Sequence, residues 1–362
     1  MANFLMRKGR LLHGGSKDSD AMNVSDDALV DTASADVILE RRIAVGRGPI
    51  GDIASGATAV AVANLADDSV SLLDPATLTV VADVAMEGEP TAVVVSDDRA
   101  YVSTASASHD AVSVVDLETR TVTATFPVAS GVTALTASPD GKRFYAGRVA
   151  GDRVEVTVID VTAERVGTID IGRGPAANID AVRVDSRGKR LYVAVTDDRG
   201  SQLVVVDAET TRVQRVVPVG SPIRDLACAG DAVYVLTSDR AVGGAVHIVD
   251  PSTAKVTDTV ALGGAPTQLS LSYDEARAYV VDYDRVVVLC TLTLDVVDTL
   301  SVEARPSCVA PGADGSRVFV ADYSGGISVF SVESTIAMSY SQFLATDPIS
   351  LSVPRARQPV TV

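Results

Sequence analysis

A unit of about 43 residues recurs seven times along this 362-residue chain, and no other feature restricts its folding as much. Every unit reads in one order. An apolar run and a tight turn come first, then a segment of the type Arg-x-Tyr-Val and a short polar stretch. A Val-x-Val-Val-Asp segment follows, then a Thr-containing turn, a last run ending in Val-Gly, and a proline. The end of the Val-x-Val-Val-Asp segment marks the register best, at Asp74, Asp116, Asp160, Asp207, Asp250, Cys290 and Ser331. The proline falls at Pro90, Pro175, Pro222, Pro266 and Pro306, and Gly131-Val132 stands at its place in the second unit.

Within a unit the apolar residues alternate with polar ones, as in Ala111-Val112-Ser113-Val114-Val115 and Val256-Thr257-Asp258-Thr259-Val260. That period of two predicts short strands, four per unit, labelled a to d in chain order. Turn residues lie where hairpins need them, at Ser138-Pro139-Asp140-Gly141, Ser186-Arg187-Gly188 and Ala313-Asp314-Gly315 between a and b. An Asp at the end of strand c is placed to accept hydrogen bonds from its own downstream amides and close the c–d turn. Four antiparallel strands repeated at this period describe a β-propeller blade. One blade cannot bury both of its faces, so the units must stack around an axis. The predicted fold is therefore all-β, a seven-bladed propeller over 37–332. It is flanked by a disordered arm over 1–36 and a tail over 333–362.

The ring must also close. The last unit holds strands a, b and c near 306–311, 317–321 and 327–330, and its d strand is predicted at the other end of the chain. Residues 38–49 align without a gap with 79–90, sharing its closing proline, and themselves end in Gly-x-x-Pro. The competing segment, 335–340, lacks that ending. Closure by the N-terminal strand removes an open edge that would otherwise invite aggregation.

Composition narrows the function classes. Valine and threonine suit strands. The net charge is −16, and the one basic cluster is Arg7-Lys8-Gly9-Arg10. An acidic chain repels polyanions, so no nucleic-acid partner is expected. The three cysteines, Cys228, Cys290 and Cys308, form no C-x-x-C pair. They read as buried free thiols, not as zinc ligands or a haem attachment. No secretory h-region follows the early basic residues and no run of about 20 apolar residues occurs, so the expected protein is cytoplasmic, without a membrane span, and monomeric.

The strand-b segments Tyr101-Val102-Ser103-Thr104, Tyr192-Val193-Ala194-Val195, Tyr279-Val280-Val281-Asp282 and Phe319-Val320-Ala321-Asp322 carry a resemblance. With the flanking Pro-Asp-Gly and Val-x-Val-Val-Asp elements, residues 37–331 resemble the YVTN-repeat β-propellers of bacteria and archaea, close to the lactonase-like propellers. The family's fourth-position Asn survives only as Asn64. Thr104, Arg148, Val195, Thr237, Asp282 and Asp322 stand at the other six positions.

The three histidines, His13, His109 and His247, form no catalytic motif, and no phosphate loop or metal signature is present. No cofactor is expected. The d–a and b–c loops share one face, and there the d–a loops carry Arg47, Glu87, Glu89, Arg173, Arg224 and Arg305. Arg47, Arg173, Arg224 and Arg305 are the candidate ligand-binding residues, since guanidinium groups hold anions bidentately. Asp282 and Asp322 share one position in adjacent blades and are candidates for a calcium ion, which takes oxygen ligands. Two readings follow. One is a non-enzymatic interaction scaffold whose rim meets a protein or a small anionic ligand. The other is a lactonase-like hydrolase or lyase, with Asp282, Asp322, Glu87, Glu89 and Asn64 as its only polar candidates.

Overall fold

Alternating β-branched residues and Asp-capped turns produce 28 strands in the computed structural model, which describes residues 37–107 and 109–332. The expectations for 1–36 and 333–362 fall outside the described residues. The strands form seven four-stranded antiparallel sheets, one per repeat. The first blade consists of Ile50–Ser55, Val60–Asn64, Ser69–Asp74 and Thr79–Ala85 as strands a to d. The inner a strands of blades 2 to 7 are Glu89–Ser96, Val132–Ala137, Asn178–Val184, Ile223–Ala229, Gln268–Leu271 and Pro306–Pro311. No helix among the described residues is long and apolar enough to cross a membrane.

The core is divided among the blades. There are seven buried clusters, and each takes its residues from two adjacent blades. The Tyr or Phe of the Arg-x-Tyr-Val segment is the main filler. Tyr101, Phe144, Tyr145, Tyr279 and Phe319 are among the largest fully buried side chains. Tyr101 of blade 2 stacks on Phe144 of blade 3. A flat sheet face with no helix layer is buried only by its neighbour, so each aromatic ring seals one inter-blade interface.

The c–d turns form as their sequence predicts. Asp74, Asp116, Asp207 and Asp250 each accept two downstream amides, and Asp160 accepts one from Ala163. Four residues after each cap the backbone turns left-handed at a non-glycine residue, Leu78, Arg120, Glu164, Thr211 and Ala254, with φ between 50° and 58°.

Closure also follows the sequence. Val37–Ala44 pairs antiparallel with Gly326–Val332 and completes blade 7 as its outer strand. A bulge at Glu40 turns this side chain toward strand b of its own blade. Arg317 donates from Nε and Nη2 to the two Glu40 oxygens at 2.7 and 2.9 Å. Its Nη1 donates to the Pro75 carbonyl of blade 1 at 2.7 Å. One guanidinium therefore joins the closing strand, the last blade and the first blade.

The thiol expectation needs one correction. Cys308 is buried and Cys228 nearly so, and burial pushes the Cys228 thiol up to about 12. Cys290 is partly exposed at a c–d turn, in the place of a capping Asp. Burial raises its pKa, but hydrogen bonds from the Thr293 hydroxyl and the Thr293 and Leu292 amides outweigh that effect. The net shift is downward. The apolar residues before Cys290 point to burial, but its place at the end of strand c, which the repeat register marks, leaves it partly exposed.

Candidate functional site

The d–a junctions place all four candidate arginines on one face of the ring, at junctions 7–1, 3–4, 4–5 and 6–7. Each meets a different neighbour. The Arg47 amide and Nε donate to the Asp67 carboxylate at 2.9 and 3.0 Å, and the Arg47 side chain is 91% exposed. Arg173 ends strand d of blade 3 opposite Arg153. Arg224 lies in the bulge of strand a in blade 5, where its charge opposes the burial that raises the Asp180 carboxyl. The Arg305 guanidinium carbon lies 4.7 Å from the Tyr283 ring centroid and 4.9 Å from that of Tyr323, and its carbonyl accepts the Tyr323 amide. The four arginines share no common partner.

The carboxylates at the ends of strand b are occupied locally. Asp282 accepts the amides of Ala265 and Tyr283 at 2.8 Å. Gly264 makes this possible. Its φ is +59°, and a Cβ there would lie 2.3 Å from an Asp282 oxygen. Asp322 accepts the Ser324 amide and hydroxyl and the Gly326 amide. Asn64 donates to Ser69 and Ser71. Arg148 pairs with Glu155 across strands b and c of blade 3. His247 is held between the Thr237 and Thr259 hydroxyls, and burial lowers its pKa. Among the described residues no group of three or more His, Cys, Asp or Glu is placed to hold a metal ion.

A second polar centre lies in the channel. In six blades strand a carries a bulge one or two residues in from its start, at Gly51, Thr91, Thr133, Asp180, Arg224 and Ser307. The residue after the bulge turns toward the next blade. Ala92, Ala134, Ala181 and Cys308 stand there in four blades and Asp52 and Asp225 in blades 1 and 5, while in blade 6, whose strand a has no bulge, Gln268 occupies the equivalent position. Asp52 Oδ2 accepts the Val93 amide of blade 2 at 3.0 Å, and its Oδ1 accepts the Ile53 amide at 2.9 Å. Asp225 accepts the Leu269 amide of blade 6 at 3.0 Å and Nη2 of Arg183, from blade 4, at 2.8 Å. Gln268 accepts the Val309 amide of blade 7 at 2.7 Å and donates to Asp52 at 3.3 Å. An inner strand has no partner on its channel edge, and these side chains satisfy amides that would otherwise need water.

Burial, opposed by the amides of Val93 and Ile53 and by the Arg183 charge, pushes Asp52 up to about 6. Burial also raises Asp225, against the pull of Arg183. Next to this network lies a cavity of about 580 Å³ that reaches the a–b turns and is lined by residues of all seven a strands. Sequence reading passed over Asp52, Arg183, Asp225 and Gln268. The signal that would have revealed three of them is the departure from Ala at one repeat position.

Comparison with known proteins agrees with this architecture. The sequence model of the YNCE-like beta-propeller family matches residues 44–338. A seven-bladed beta-propeller protein of Mycolicibacterium smegmatis is 49% identical over 349 residues, covering 96% of this chain and 95% of its own length. The seven-bladed beta-propeller protein Rv1057 of Mycobacterium tuberculosis is 34% identical over 293 residues, covering 70% of this chain and 75% of its own. Among solved structures, Kuenenia stuttgartiensis hydrazine synthase superposes with a TM-score of 0.68 at 20% identity, covering 80% of this chain and 96% of that one. At that identity the likeness concerns the fold alone.

Proposed function

This chain belongs to the YNCE-like β-propeller family, and we propose that it serves there as a non-enzymatic interaction scaffold, presenting its loop-lined d–a rim to a protein partner or a small anionic ligand. The observation that carries this reading is the cluster at the junction of blades 6 and 7. Arg305 lies against both Tyr283 and Tyr323, and these rings remain 62% and 46% exposed. Arginine and tyrosine supply large contact area with a charged or polar tip, and they are the residue types that dominate binding energy at protein interfaces. The two rings hold the guanidinium in place while leaving its donors open to an incoming carboxylate. Arg47, Arg173 and Arg224 add positive charge around the same rim.

The test is a comparison of partners retained by the immobilised wild type and by the triple variant Arg305→Ala, Tyr283→Ala, Tyr323→Ala in a lysate of the source organism. Leu292→Ala, at a c–d turn, serves as the control. A partner that uses this cluster binds the triple variant at least about 30-fold more weakly, since a central interface residue contributes roughly 2 kcal/mol or more. The control retains it. A retained set that is the same for all three proteins refutes the assignment.

A further inference from the structure

We propose that the channel cavity is a binding site for a small primary amine with an apolar body, its ammonium group on Asp52 and its body against the Val and Leu side chains of the inner strands. This site reaches the a–b turns, away from the d–a rim, and does not depend on the scaffold reading.

The first argument is size and lining. The cavity of about 580 Å³ falls in the range of small-molecule sites and is far larger than a water molecule or a single metal ion requires. Asp52 and Gln268 stand at its inner end, the partly buried Val94, Val95, Val184 and Leu271 along its walls, and Tyr273, 75% exposed, near its mouth. A polar end beside an apolar wall fits a ligand with one charged head and a hydrocarbon body.

The second argument is charge. Three charged side chains belong to the network and the cavity lining: Asp52 of blade 1, Arg183 of blade 4 and Asp225 of blade 5. Blades 2, 3, 6 and 7 contribute none, and the thiol of Cys308 in blade 7 is the other titratable group close to Asp52. Arg183 is committed to Asp225, with Nη2 at 2.8 Å, and donates from Nη1 to its own neighbour's carbonyl, Val182 O. Asp52 therefore has N–H donors and feels the Arg183 charge only from a distance, with no ion pair of its own. Its Oδ1 takes the Ile53 amide and Gln268, its Oδ2 takes only Val93, and the side chain retains surface facing the cavity. A carboxylate oxygen has two lone-pair directions, so Oδ2 has one left. Buried charges are ordinarily paired, and the partner Asp52 lacks is a cation. A calcium ion would need six to eight oxygens, whereas no acidic cluster surrounds Asp52. An ammonium group has three donors, which one carboxylate and two further acceptors or waters satisfy.

A pH dependence follows with a definite sign. The amine pairs with ionised Asp52, and burial holds that carboxyl at about 6. Binding therefore strengthens as pH rises through that value, by about tenfold between pH 5 and pH 8 for a single linked group.

The experiment titrates the full-length protein calorimetrically with n-hexylamine, 1-hexanol and sodium hexanoate. At pH 8 the amine should bind at least tenfold more tightly than the alcohol, and hexanoate more weakly than either. Asp52→Asn should abolish the preference for the amine and its pH dependence while leaving hexanol binding in place. Ser270→Phe fills the cavity from strand a of blade 6 and leaves Asp52 intact, so it should remove binding of all three probes and provides a second route should Asp52→Asn fail to fold. Equal binding of amine and alcohol, an unchanged preference in Asp52→Asn, unchanged binding in Ser270→Phe, or stoichiometric displacement of the amine by calcium chloride would each overturn the proposal.

Discussion

Removing Arg317 should loosen the ring at its seam. Its guanidinium makes two hydrogen bonds to Glu40 on the closing strand and one to the Pro75 carbonyl of blade 1. The Arg317 and Glu40 side chains are 23% and 35% exposed, so the pair is neither buried nor freely solvated. A hydrogen bond to a charged group contributes about 1.5–3 kcal/mol when buried. A fully exposed ion pair contributes about 0–1 kcal/mol. With three bonds at partial exposure, Arg317→Ala should cost about 2 kcal/mol. Glu40→Gln keeps the shape and one acceptor and should cost about 1 kcal/mol. At roughly 2–4 °C per kcal/mol for a domain of slightly smaller size, Arg317→Ala should melt about 4–6 °C below the wild type.

The assay is a double-mutant cycle by chemical denaturation at pH 7 and pH 3. The Arg317 hydrogen bond lowers the Glu40 pKa, with its charge acting in the same direction against a smaller effect of burial. A carboxylate with a depressed folded-state pKa stabilises above its unfolded value, and the contribution is lost as pH falls through the folded value. The coupling between the two positions should therefore be present at pH 7 and much reduced at pH 3. A coupling of zero at pH 7, or one that is the same at both pH values, refutes the latch. Deleting 37–49 should have a larger effect, since it bares the edge of Gly326–Val332, and the protein should then aggregate at concentrations the wild type tolerates.

Two further predictions concern the interior and the thiols. Phe144, fully buried and stacked on Tyr101, should cost about 3–5 kcal/mol when replaced by Ala, read as a lower denaturation midpoint with unchanged slope. In native protein at pH 8 one thiol should react quickly with a maleimide and two should not, and Cys290→Ser should remove the fast phase, because Cys290 alone combines partial exposure with a lowered pKa. A fast phase that survives the substitution would refute that assignment.

The fold was legible because a propeller repeats its physics. Six of the seven blades place a ring on strand b to seal an interface and five place an Asp to close the c–d turn, so the same residue types return at one period. The closing strand was legible for the same reason, since 38–49 repeats the spacing of 79–90. The rim was legible only as a position. Arg305 was identifiable as a d–a loop residue, but its two tyrosines come from the b–c loops of different blades, and nothing in the linear sequence ties them to it. The channel was not legible at all. Asp52 and Gln268 are 216 positions apart, and they meet only because the ring closes and a bulge re-aims Asp52. Cys290 escapes the burial its apolar neighbours suggest because it ends strand c, where other blades carry a capping Asp.

The seam explains why the departures from Ala fall where they do. A ring made from an open chain is weakest where its ends meet, because no covalent link crosses from strand c of blade 7 to the closing strand. On the outside, seven paired residues and the Arg317 latch hold that junction. On the inside, Gln268 reaches from blade 6 to the Val309 amide of blade 7 and, past it, to Asp52 of blade 1, which in turn holds Val93 of blade 2. One chain of hydrogen bonds thus crosses the seam from blade 6 to blade 2. Asp225 extends it backward to blade 4 through Arg183. Blades 2 to 4 are joined by covalent d–a loops, keep Ala at the same position, and are bridged instead by the Asp110 carboxylate on the Gly131 and Val132 amides and the Thr133 hydroxyl on the Ile179 carbonyl. On this argument the polar channel residues secure closure first. The charge that closure leaves unneutralised on Asp52 is what makes the cavity beside it selective for a cation.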